Sequence, residues 1–265
     1  MAAVTSISYL FQQHEARITA ALDGFDRGLE MIARGLQDAL IDLPNWEPVA
    51  GQLMLRQIVH LQSQLRGQLT ALGYDDLVQR FMQNGYDASV VFSKTIFKAL
   101  GKSELILSPM RQDVLAQLRQ YDYTPFQDFG NRAIQQISKE LVLNAVGGKK
   151  RSQVIKDLKA NLDVTWSQAQ QMADTALRSF DRTVQQQTSE EAGIRRWRYW
   201  GPDDKVTREW CHEHVGKEYS LAEIRKMNNG SKRYGDVMRY GGGPRCRHTW
   251  LPIAEVNPDD QAESS

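Results

Sequence analysis

Gly193-Ile194-Arg195-Arg196-Trp197-Arg198-Tyr199-Trp200-Gly201-Pro202-Asp203-Asp204 is the stretch at which the chain changes character. Upstream of it, apolar residues return every three or four positions, as on a helix face. Within it, aromatic and basic residues alternate with period two, which predicts a strand with one aromatic and one charged face, closed by a turn at Gly201–Asp204. A helical body therefore gives way to a small mixed module.

Working back towards the N-terminus, Ile7, Leu10, Phe11, Ile18, Leu22, Phe25, Leu29, Ile32 and Leu36 mark a helix from Ser6 to about Leu40. Gly24, Gly28 and Gly35 each weaken it by roughly 1 kcal/mol relative to Ala, so it needs a packing partner. The segment Leu43-Pro44-Asn45-Trp46-Glu47-Pro48 ends it. A second amphipathic helix carries Leu55, Ile58, Val59, Leu61, Leu65, Leu69 and Leu72 and closes at Gly73. Two more are expected near 74–100 and 109–120. After a turn at Asp122–Pro125, a helix through Ile134, Ile137, Leu141, Val142 and Ala145 stops at Gly147-Gly148. Ser152 is expected to cap a short helix, and Thr165 a longer one bearing Ala169, Met172, Ala173, Ala176, Phe180 and Val184.

Downstream, a second strand is expected near Lys217–Tyr219. Ser220 and Glu223 then form a capping box for a helix of about two turns, which ends at Asn228-Asn229-Gly230. A basic glycine-rich loop, 231–243, leads to a last strand from Cys246 to Leu251, and residues 254–265 read as an acidic solvated tail. The fold class is mainly α, a helical body followed by a small α+β Cys/His-stapled C-terminal module. The expected division is a helical region 1–125, a helical region 126–193 leading into the module, the module 194–253, and the tail 254–265.

The module holds both cysteines of the chain, each with a histidine close behind: Cys211 with His214, and Cys246 with His248. Thiolate and imidazole are the donors of a tetrahedral zinc site, and about 60 residues with little aliphatic content benefit from a crosslink. His212 competes with His214 as the ligand, and a Cys211–Cys246 disulfide is the alternative crosslink. Other chemistry fits less well. His212-Glu213-His214 lacks the second histidine four residues after the first that a zinc peptidase needs, since Gly216 stands there. A Cys211/His248 nucleophile pair has no obvious orienting Asn or Asp. Gly241-Gly242-Gly243-Pro244 lacks the lysine and the helix of a phosphate cradle, and reads as a flexible approach to the last strand.

With 265 residues, 41% of them hydrophobic, the chain can bury a real core in one large or two modest domains. Net charge is only +1, but it is unevenly spread: residues 195–250 carry 13 Lys/Arg against 7 Asp/Glu, and residues 1–50 carry 3 against 7. The basic surface thus lies at the cysteine end. Arg195, Arg196, Arg198, Lys232, Arg233, Arg239, Arg245 and Arg247 are the candidates for contact with a phosphate backbone, with the competing reading that the arginines of the first strand are simply solvated. There is no run of about 18 apolar residues, and the N-terminus lacks the order of a secretory signal. A cytoplasm-like compartment and no membrane partner are expected, and reduced thiols there favour metal or free thiol over disulfide.

Read end to end, Trp197, Asp203-Asp204-Lys205-Val206-Thr207-Arg208, Cys211, Gly216-Lys217, Gly243-Pro244-Arg245-Cys246-Arg247-His248 and Trp250-Leu251-Pro252 form one ordered series. It resembles the phage head morphogenesis family typified by the F protein of phage Mu. Leu158 to Arg182, especially Met172-Ala173-Asp174-Thr175, is similar to the helix that leads into that family's cysteine module, so the resemblance spans about residues 130–253. Where many members carry further cysteines, this chain has His214 and His248, which implies a four-ligand set with imidazole replacing thiolate. The resemblance implies a non-enzymatic minor head protein of a tailed bacteriophage or prophage. Such a protein is present in a few copies at the portal vertex or inner capsid and assists head assembly or genome packaging and delivery. Its implied partners are the portal protein, the major capsid or scaffolding protein, and packaged double-stranded DNA. Its implied location is the virion, after host cytoplasm during assembly. Residues 1–125 would then supply the docking surface. The alternative is a zinc-dependent nucleic-acid-processing or toxin-associated protein in which the ion is catalytic.

Overall fold

A computed structural model describes residues 2–41, 52–101, 108–146 and 151–253. The expected helix stops at 43–48 and 147–148 and the acidic tail lie outside the described residues. Five long helices come first: α1 (Ala2–Ile41), α2 (Gln52–Ala71), α3 (Tyr74–Ala99), α4 (Pro109–Val146) and α5 (Arg151–Glu191). The C-terminal part follows as β1 (Arg196–Trp200), α6 (Glu209–His214), β2 (Glu218–Ser220), α7 (Leu221–Ile224), α8 (Val237–Tyr240) and β3 (Thr249–Ile253). The fold is mainly α with a three-stranded antiparallel sheet, in the order β2-β1-β3. No helix among the described residues is long and apolar enough to cross a membrane.

Several helix boundaries differ from those read in the sequence, and Ser152 lies inside α5, which begins at Arg151. No turn forms at Asp122–Pro125, because α4 runs straight through Pro125. A proline here forfeits one backbone hydrogen bond, and burial of Phe126, Phe129 and Ile134 just beyond it outweighs that loss. Likewise Thr165 caps nothing. Its hydroxyl donates to the Asn161 carbonyl at 2.8 Å inside one continuous α5, whose stripe Leu158, Leu162, Trp166, Ala169, Ala173 and Leu177 is buried without interruption. Downstream, the Ser220/Glu223 capping box is present, but α7 is a single turn. The 231–243 loop contains α8, capped by Asp236, and the last strand is Thr249–Ile253, later than expected.

Two compact units result, and they interleave along the chain, following other boundaries than 125 and 193. One gathers residues 20–84 and 120–173, the other residues 1–19, 85–119 and 174–265. In the first, Phe25, Phe81 and Phe126 meet with ring centroids 4.5 to 5.8 Å apart, and the Tyr74 hydroxyl donates to the Phe126 carbonyl at 2.6 Å. In the second, the C-terminal module is not free-standing. Trp197, Tyr199, Ile224, Met238 and Trp250 share a core with Phe97 of α3, and Leu251 packs with Phe11, Phe92 and Ile96. The apolar core that residues 194–253 were expected to lack is supplied by aromatic side chains and by helices from elsewhere in the sequence.

Candidate metal centre

Period-two geometry builds half of the site. From Cys246 to Trp250 the chain is extended, so Cys246, His248 and Trp250 face inward while Arg247 and Thr249 lie closer to solvent. On β1 the same alternation buries Trp197 and Tyr199, and Tyr199 pairs in register with Trp250. Cys211 arrives from α6, a helix that the sequence reading missed because its six residues show no apolar period. The turn before α6 is braced at both ends. Asp204 accepts from the Val206 amide at 3.1 Å and the Thr207 hydroxyl at 3.0 Å, and receives both terminal nitrogens of Arg247 at 2.6 and 2.8 Å. Arg208 donates to the Pro244 carbonyl at 2.5 Å. The Arg247 hydrogen bonds, first, hold the Asp204 carboxyl far below its ordinary range. Asp204, Arg208 and Arg247 therefore tie the two cysteine-bearing segments together.

Cys211, Cys246 and His248 lie close together, buried, with all three donor atoms within 4.8 Å of one another, and this group can bind a metal ion. The two sulfurs are 3.7 Å apart, well beyond disulfide bonding distance, and Cys246 Sγ lies 3.6 Å from His248 Nδ1. Ligands bound tetrahedrally to zinc at 2.3 Å for sulfur and 2.0–2.1 Å for nitrogen stand about 3.8 Å and about 3.5 Å apart. The spacing already suits an ion.

The backbone around the sulfurs is shaped to fit them. A methyl group added at Gly242 would lie 2.3 Å from Cys211 Sγ, and one at Gly241 would lie 2.9 Å from Cys246 Sγ. The Gly242 amide donates to Cys246 Sγ at 3.3 Å. The glycine run is thus a close-fitting cradle for the two sulfurs, where a flexible approach was expected. Gly201 does the same for the imidazole, since a Cβ there would fall 2.5 Å from the His248 ring.

Arg182 of α5 holds the segment from behind. It is almost fully buried, and its guanidinium donates to the carbonyls of His248 at 2.8 Å, Arg239 at 3.1 Å, and Cys246. Nothing in the sequence marks it out among the polar residues of α5. The Tyr199 hydroxyl lies 3.5 Å from Cys211 Sγ and 3.3 Å from Cys246 Sγ, and its ring stacks on His248 at 5.2 Å. The hydrogen bond with Cys211, then those with His248 and Tyr199 and the charge of Arg182, hold the Cys246 thiol well below its ordinary range against the effect of burial. The Cys211 thiol is pushed up by the same bond and by burial.

The structure does not bring His214 into this group. Its Nδ1 lies 2.6 Å from the Trp210 carbonyl and its ring stacks on Trp210 at 4.1 Å, so the fourth ligand expected from spacing is turned away. His212, the other candidate, is paired with Asp203 at the surface. Among the eight basic residues, Arg198 is bound to Glu218, Arg245 to Asp174 and Arg247 to Asp204. Arg239 lies over the Tyr240 ring at 5.2 Å. Arg195, Arg196, Lys232 and Arg233 are exposed.

Compared with family models, curated proteins and solved structures, the chain matches none.

Proposed function

We propose that this chain is a non-enzymatic minor head protein of a tailed bacteriophage or prophage, and that Cys211, Cys246 and His248 hold a structural zinc ion. The observation that carries the reading is the burial of all three donors, at 1%, 2% and 2% exposure, beneath aromatic rings and behind carbonyls fixed by Arg182. A catalytic zinc keeps one position open to water and substrate, whereas a structural one is enclosed by its ligands. Zinc, when bound, crosslinks the α6 segment to the β3 approach and adds its binding free energy to folding. The ordered series from Trp197 to Pro252 supports the head-protein assignment, and the internal ties Asp204–Arg247 and Arg208–Pro244 give several of its residues a purely architectural purpose. On this reading the protein is carried in the virion in a few copies, meets the portal, coat or scaffolding protein, and touches packaged DNA.

Two measurements test it. Metal analysis of the full chain is expected to give one zinc per molecule, and Cys246→Ala is expected to lose the metal together with cooperative unfolding of the sheet-bearing unit. A Cys246→Ala protein that keeps its fold but loses a hydrolytic activity towards nucleic acid would instead establish the catalytic-ion alternative. For the assembly role, purified heads of the parent phage should contain the chain, and its deletion should leave heads that fail to mature or deliver DNA.

A further inference from the structure

We propose that the fourth atom around the ion is the hydroxyl oxygen of Tyr199, and not a ring nitrogen of His214 or His212. The inference rests on the zinc reading above and goes beyond it by naming the complete donor set. Three ligands leave a zinc ion one short of its usual four. Among the described residues, Tyr199 brings a side-chain oxygen to both sulfurs, at 3.3 and 3.5 Å. An oxygen at about 2.0–2.2 Å and a thiolate at about 2.3 Å on the same tetrahedral ion stand about 3.5 Å apart. With the sulfur–sulfur distance of 3.7 Å and the sulfur–nitrogen distance of 3.6 Å, four edges of one tetrahedron are already in place.

The surroundings hold that oxygen where it is. Tyr199 is fully buried; its amide donates to the Lys217 carbonyl at 2.9 Å and its own carbonyl accepts from Gly216 at 2.8 Å, which fixes the backbone. Its ring is packed between His248 at 5.2 Å and Trp250 at 4.6 Å, with the edge of Trp210 at 5.4 Å. A Cβ at Gly241 would reach 2.9 Å from both the hydroxyl and Cys246 Sγ, so the same missing side chain makes room for both atoms. His214, by contrast, would have to leave its Trp210 contacts to bind.

The test uses full-length wild type, Tyr199→Phe and His214→Ala. X-ray absorption at the zinc edge of the wild type is expected to give two sulfurs, one imidazole and one oxygen. With cobalt(II) as probe, Tyr199→Phe should keep the thiolate charge-transfer bands but change the visible bands of the four-coordinate ion, and bind zinc at least tenfold more weakly. His214→Ala should match the wild type in both respects. A shell of two sulfurs and two imidazoles, a His214→Ala spectrum that departs from wild type, or a Tyr199→Phe spectrum identical to it overturns the proposal while leaving the zinc reading intact. Failure of the wild type to take up either metal overturns both. The wild-type absorption measurement decides even where Tyr199→Phe does not fold.

Discussion

Arg182 is the residue on which the candidate centre leans most heavily without contributing a donor atom to it. Three carbonyls of the site segment converge on one guanidinium, and a charged donor to a buried carbonyl is worth more than a neutral one. Lysine cannot reproduce that fork, because it offers a point charge on a flexible stem. Arg182→Lys is therefore expected to cost about 3 kcal/mol in chemical denaturation and to weaken zinc binding about tenfold, although every ligand is intact. Unchanged zinc affinity would show that the segment holds its shape alone. At this scale the sequence exposes the donors and hides their supports. Cys211, Cys246 and His248 are legible because their chemistry is rare in the chain, whereas an arginine in a helix of mixed polarity is not. His214 stands at a metal-site spacing from Cys211, yet in the fold its ring stacks on its neighbour Trp210.

At the level of elements, α1 and α5 are joined by two polar pairs, Glu15 with Arg178 at 2.7 Å and the more deeply buried His14 with Asp181. His14 occupies the stripe position between Phe11 and Ile18, stacks on Phe92 at 3.8 Å, and meets the Asp181 carboxylate at 2.6 Å. Burial pushes the Asp181 carboxyl up, but His14, the Ser89 hydrogen bond and Arg182 together hold it below its ordinary 3.8. A carboxyl depressed in the folded state stabilises above its unfolded pKa, and that stabilisation is lost as pH falls through the folded value. Thermal melts should therefore show stability falling below about pH 4 in the wild type, with a flatter dependence in Asp181→Asn. Asp181→Asn should also be less stable by about 3 kcal/mol at pH 7, since half of a buried pair is lost. Identical acid slopes in the two proteins would remove the pair from the account. The gap in the α1 stripe at residue 14 was visible, but a histidine's buried partner 167 residues away was not. The β1 alternation was fully legible, since a period of two admits one reading. Pro125 and Thr165 were misread because local signals for a turn and a cap were overridden by burial on either side.

Across the whole molecule, charge is the property most altered by folding. The basic excess of residues 195–250 is partly spent within the protein, as Arg198, Arg245 and Arg247 are neutralised by carboxylates. Of the eight candidates, Arg195, Arg196, Lys232 and Arg233 are the exposed ones on which the proposed DNA contact rests. Duplex binding by the full chain is therefore expected to be weak, with a slope of log affinity against log salt of at most about −4. A steeper slope would show that basic residues beyond these four take part, and salt-independent association would exclude the phosphate backbone as the partner. The interleaving of the two units was beyond the reach of sequence, because period and capping report only local structure. It also sets an order of events during synthesis. Residues 20–84 and 120–173 can pack while the C-terminal part is still untranslated. The sheet-bearing unit cannot close until the chain through Ile253 has left the ribosome, because β3 pairs with β1 only then. Phe92 of α3 is made early enough to cover Phe11 and His14 in part, but the Asp181 carboxylate and the Leu251 side chain that complete their surroundings are among the last groups to arrive.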